Sequence, residues 1–182
     1  MALTVNGRKI PRNDWEGDDR TPGAGGRYVT CMDTAAGRMV AYATNLRIDK
    51  DGKVYRAALR PADPNGITFD QAEQAVRTVA RLPLHHKSGW SQATAQAWLK
   101  AGKGLIVIGR YDTIPRAYRH QYLAGFNHAM FVTHIDRSGK MRLYDPLNPD
   151  IYAYGRIVPA SILWPFLASL GWMAGYVPLQ PL

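Results

Sequence analysis

A chain of 182 residues, 46% of them apolar, can build one sizeable core, and no apolar run approaches the ~20 residues that cross a bilayer. A single cysteine excludes an internal disulfide and any multi-cysteine zinc site. The net charge of +9 favours polyanionic partners such as cell-wall polymers or an acidic assembly, but the cations are scattered, with no basic block or aromatic-interleaved groove, which argues against nucleic acid.

In chain order, Leu3 to Val5 reads as a short edge strand before a turn at Asn6-Gly7, and residues 16–27 form a loop by their Gly, Asp and Pro content. The spacing predicts a first helix from Thr30, with Thr30 as N-cap and Asp33 as its capping-box partner. Met32, Ala35, Ala36, Met39, Val40 and Ala43 give it a buried stripe. Residues 44–60 suggest two strands around Asp49-Lys50-Asp51-Gly52, and Arg60 to Gly66 a loop. A second helix opens at Thr68 with Gln71 as capping-box partner, buries Phe69, Ala72, Val76 and Val79, and ends at Pro83. A third spans Ser91 to Lys100, with Trp98 and Leu99 inward. Leu105 to Ile108 reads as a central strand. A loop at 112–126 and a hairpin follow, then a strand near Tyr152 to Val158, a helical turn from Ala160 and a last strand near Trp172 to Val177. Helices first and an antiparallel sheet after make an α+β layout in one domain: residues 1–27 arm and loop, 28–100 the helical part, 104–182 the sheet part. The N-terminus lacks the basic-then-apolar order of a signal peptide, so the expectation is cytoplasmic synthesis with no secretion signal.

The hairpin carries the chemistry. Ala129 to Val132 is an apolar, β-prone run, Asp136-Arg137-Ser138-Gly139 a turn, and Lys140 to Asp145 the return. Tight pairing sets Asp145 opposite Met130 or Phe131, a diagonal neighbour of His128. A carboxylate there would fix the imidazole tautomer and stabilise the imidazolium, making His128 an oriented base. Cys31 supplies the nucleophile the pair lacks. A lone cysteine is by default a small buried hydrophobe, but as first helical residue it meets unpaired N–H groups and a dipole that favour the thiolate.

Three stretches carry a family likeness: Cys31-Met-Asp-Thr-Ala-Ala-Gly opening a helix, Ala101 to Ile108 before the histidine, and His128-Ala-Met-Phe-Val followed by a turn and Tyr144-Asp145-Pro146. In this order the chain resembles a papain-like cysteine peptidase of the bacteriocin-processing-peptidase-like branch, over roughly residues 13–150. The resemblance implies the papain-like fold, a Cys31-His128-Asp145 triad, and action on amide bonds with no cofactor and no metal. Two positions depart from it: Met32 stands where the family has glycine, and no glutamine precedes Cys31 to complete the oxyanion hole, Asn13 being the nearest substitute.

The other candidates read as structural. His85-His86 is a solvated loop pair; His134 lies roughly 20 Å along one strand from His128, too far to share a metal. His120 with Asp112 belongs to a polar loop, Asp33 is a helix cap, and Trp15, Trp90 and Trp98 form core or cleft wall. The expected function is a cysteine peptidase or amidase acting on a peptide or peptidoglycan-type substrate, with the charge and lack of a secretion signal suiting a phage-encoded, virion-carried enzyme. Two alternatives stand beside it: a catalytically retired papain-like fold serving as a virion or interaction protein, and a transglutaminase-type acyltransferase.

Overall fold

The computed structural model describes residues 4–11, 30–48, 52–59, 66–119, 125–147 and 154–182. Its frame is a six-stranded antiparallel sheet among the described residues: β3 (His85–Lys87), β8 (Ala174–Tyr176), β4 (Leu105–Arg110), β5 (Asn127–Ile135), β6 (Lys140–Tyr144) and β7 (Arg156–Pro159), in that spatial order. A two-stranded hairpin, β1 (Thr4–Val5) and β2 (Arg8–Lys9), stands apart from it, turning at Asn6 and Gly7 with positive φ. The helices are α1 (Cys31–Ala43), α2 (Gly52–Ala57), α3 (Phe69–Ala80), α4 (Gln92–Lys100) and α5 (Leu163–Ala168).

Strand alternation divides the core in two. Ile106, Ala129, Phe131 and Tyr144 face α1, α2 and α3, while Leu105, Val107, Met130, Val132 and Leu143 face α4 and α5. This is the expected α+β arrangement, with helices on both faces of the sheet.

Helix α1 is the spine of the first layer. Every residue from Met32 to Ala43 is buried, because the sheet takes one side and α2 and α3 the others. Its small residues, Ala35, Ala36, Gly37 and Ala41, let those neighbours come close. Two expectations are corrected here. Thr30 makes no side-chain cap, and Asp33 is no capping partner: it lies 1% exposed and pairs with Arg56 of α2 at 2.9 Å. The strands expected within 44–60 are replaced by α2, which packs on α1 and buries Tyr55 fully in the same core. The turn at 49–51 lies outside the described residues. Gly52 makes the approach possible, as a Cβ there would stand 2.8 Å from the Thr34 backbone nitrogen.

Helix α3 begins as expected. Thr68 Oγ1 accepts from Gln71 N at 3.3 Å and the Gln71 side chain accepts from Thr68 N at 2.8 Å. It stops at Arg81, in the left-handed region at φ +58°, two residues before Pro83. His85 and His86 are not loop residues. They form edge strand β3, and the His86 ring stacks on Phe69 at 5.0 Å with its Nε2 3.1 Å from Asp70. A polar pair on a sheet edge has the composition of a loop, which is why it reads as one.

The far end of α1 is fastened by both ends of the chain. Arg8 donates to the carbonyls of Tyr42 and Ala43 at 3.2 and 3.1 Å and to that of Gln180 at 2.7 Å, while Gln180 N donates back to Ala43 O at 2.8 Å. Carbonyls that a helix terminus leaves without partners are thus satisfied by residues distant in sequence. Among the described residues no helix is long and apolar enough to cross a membrane.

Candidate active site

The site lies where α1 begins and β5 begins. In the β5–β6 hairpin, Asp136 Oδ1 accepts from Ser138 N, Ser138 Oγ and Lys140 N at 2.7–2.9 Å, which fixes the turn. One extra residue on β5 between Val132 and Ile135 makes a bulge, after which Val132 pairs with Leu143 and Phe131 with Tyr144. Continued one step past the end of β6, that register would set Asp145 against Met130, one of the two partners expected, diagonal to His128.

His128 is 2% exposed, and its Nε2 lies 2.8 Å from Asp145 Oδ1. Asp145 is held by two further donors, Leu147 N to Oδ1 at 2.9 Å and Tyr111 Oη to Oδ2 at 2.6 Å. The Tyr111 ring also meets the imidazole edge-on at 4.7 Å, and Phe126 does so at 5.9 Å. The ring therefore sits in an aromatic slot with one nitrogen on the carboxylate. Half-buried Cys31, first residue of α1, is near enough to this imidazole to raise its pKa, and with Nε2 on Asp145 the ring's other nitrogen is Nδ1.

The electrostatics follow from these partners. Burial pulls the His128 pKa down, but hydrogen bonds to Asp145 and Cys31 and the charges of both outweigh it, and the imidazole stays protonated well above its ordinary 6.5. For Asp145, burial pushes upward, yet His128, Tyr111 and the Leu147 N–H together hold the carboxyl below its usual range. The pair is a buried imidazolium–carboxylate beside Cys31.

Tyr111 was not singled out in the sequence. It follows β4 directly, where Gly109 pairs with His128 and Arg110 with Asn127, and its N–H extends the ladder to Phe126 O at 3.0 Å. Only the pairing of β4 with β5 brings it to a residue 34 positions away, and no local pattern announces that. Tyr111→Phe keeps the ring and removes the hydroxyl, leaving Asp145 Oδ2 buried and one donor short, a loss of about 1–3 kcal/mol. Because that hydrogen bond lowers the Asp145 pKa, the variant protonates Asp145 at higher pH than the native protein, a shift readable by carbon-13 carboxyl titration.

The remaining expected residues lie elsewhere. Asn13, Trp15 and His120 are outside the described residues. Asp112 pairs with Arg110 at 3.2 Å. His134 bonds Thr133 farther along β5, and Trp90 packs edge-on against Trp98 at 5.8 Å beside the second core. Among the described residues no group of three His, Cys, Asp or Glu side chains is placed to hold a metal ion.

No protein-family model matches the chain, and no curated protein does. Among solved structures, a Bacillus anthracis protein provisionally described as a C39-like peptidase aligns over 100% of both chains with a TM-score of 0.62 and 13% sequence identity. At that identity the likeness speaks for the fold: the chain has the α+β architecture of a C39-like peptidase.

Proposed function

We propose that the protein is a cysteine peptidase or amidase in which Cys31 is the nucleophile, His128 the general base and acid, and Asp145 the group that orients His128. The observation that carries this reading is the buried His128–Asp145 pair at 2.8 Å with Cys31, at a helix start, near enough to raise the pKa of the same ring. In the reaction, the proton given up by Cys31 is the one that His128 Nδ1 carries as imidazolium, and the thiolate sulfur bonds the substrate carbonyl carbon. The carbonyl oxygen becomes an oxyanion near the first N–H groups of α1, which have no carbonyl partner within the helix. The C–N bond then breaks as His128 gives the proton to the leaving amine. Water, deprotonated by His128, hydrolyses the thioester and frees Cys31.

A backbone N–H alone leaves the oxyanion short of a donor, and the proposed second donor is the Asn13 side-chain amide. Asn13→Ala in an amide-hydrolysis assay should lower the rate by about 10²-fold with folding unchanged. As to biological setting, we read the protein as a cell-wall-directed enzyme of the bacteriocin-processing-like branch carried by a phage; its charge of +9 suits an acidic wall polymer. The lack of any glutamine before Cys31 favours a second reading, a retired enzyme serving a structural role in a virion. Iodoacetamide separates the two: a working site alkylates Cys31 fast, with the rate collapsing in His128→Ala, whereas a retired one reacts at the pace of an ordinary thiol and is indifferent to His128.

A further inference from the structure

At the other end of β5 from His128, seven residues and roughly 23 Å along the strand, a groove of about 560 Å³ opens between α4, the β5–β6 turn and the start of α5. Its volume falls within the range of small-ligand sites. Buried Ile135 and Ala160 and half-buried Trp164 line it. Gln96 and Ser161 add hydrogen-bonding groups, and Lys100 and Arg137 reach it from separate elements.

The chemistry of that lining is selective. Asp136 also borders the groove, but its Oδ1 is tied to Ser138 and Lys140, so it acts as a strut that displays Arg137. The three charges leave the groove with a small positive balance. A polyphosphate backbone would need a longer run of cations and would meet the Asp136 carboxylate. A peptide adding as a strand would need a free edge, yet β5 and β6 are each paired on both sides. A sugar ring suits what is there: a flat apolar face on the indole, hydroxyls for Gln96 and Ser161, and one carboxylate for a guanidinium fork and an ammonium.

We infer that this groove is a binding site for a carboxylate-bearing oligosaccharide, separate from the Cys31 site and independent of its chemistry. The full-length protein is titrated calorimetrically with tetragalacturonate, with a neutral chito-oligosaccharide, hexaglutamate and a short oligonucleotide as comparisons. Expected is saturable binding of the uronate with Kd below about 1 mM. It should weaken at least tenfold in Lys100→Glu/Arg137→Glu, two exposed positions, and the neutral sugar should bind at least tenfold more weakly. Trp164→Phe, which keeps an aromatic face, should bind detectably. Non-saturable uptake overturns the inference. So does uronate binding that the double charge reversal leaves unchanged, or equal or tighter binding of hexaglutamate or the oligonucleotide. The rate of Cys31 alkylation, measured in the same variants, should be unaltered, so that loss of glycan binding and failure of the peptidase reading register separately.

Discussion

A His128→Ala variant should lose amide hydrolysis by about 10³-fold or more while remaining folded, since it removes the imidazole proposed to hold the proton given up by Cys31 and to pass it to the leaving amine. The pH profile of the native protein sharpens the test. His128 remains an imidazolium well above pH 6.5, so kcat/KM should hold through neutrality and fall only as pH rises through that elevated value. Asp145→Asn removes the carboxylate whose hydrogen bond, and then its charge, oppose burial, so the alkaline limb should move down toward 6.5. Stability follows the same sign. The raised imidazole contributes fully below its unfolded pKa near 6.5, and that contribution is lost as pH climbs through the folded value. The depressed Asp145 contributes above about 3.9 and its share is lost as pH falls through its lowered pKa. The pair is worth most between those limits. An alkaline limb that Asp145→Asn fails to move would rule out a carboxylate-supported base.

Gly109→Ala should be the most damaging single methyl group in the sheet. Gly109 pairs with His128, and a Cβ there would stand 2.1 Å from the Phe166 carbonyl oxygen and 2.7 Å from its carbon. That neighbour is backbone of α5, fixed by Ser169, whose hydroxyl donates to Phe166 O at 2.6 Å and accepts from Arg110 N at 2.7 Å. No side-chain rotation relieves the clash, so α5 must lift from β4 or the strand must shift under it. The cost should reach about 3 kcal/mol or more, and for a chain of this length a fall in Tm of roughly 6–12 °C. Thermal unfolding followed by circular dichroism measures it. A change within a degree or two would mean that α5 does not seat on Gly109 as described.

How legible all this is from sequence depends on the range of the interaction. The α3 capping box is read from two residues three apart, and the structure has it in full. A turn and a count along two adjacent strands were enough to bring Asp145 near His128 but left Met130 or Phe131 opposite it, and the bulge between Val132 and Ile135 decides that register. Helix α2 was misread because Val54 and Tyr55 favour strands in isolation, whereas burial against α1 decides the matter. Asp33 was misread for a related reason: a residue at the right place for a cap is drawn instead to Arg56, 23 positions away. Tyr111 escaped altogether, since its importance arises from a strand pairing rather than from anything near it in the chain.

The sheet order has a consequence for synthesis. Strand β4 lies between β5 and β8, and β8 is Ala174–Tyr176, while Gln180 helps to close the end of α1. On a ribosome, which makes the N-terminal side of a chain first, β4 and β5 can pair early. One edge of β4 and the carbonyl end of the helix that carries Cys31 must then wait for residues more than sixty positions later. The nascent protein passes through a stage with an open apolar edge, vulnerable to association with its neighbours. A competent thiol should appear only when the final strand has been laid in, so a ribosome stalled before residue 174 should hold a chain whose Cys31 reacts as slowly as that of an unfolded one.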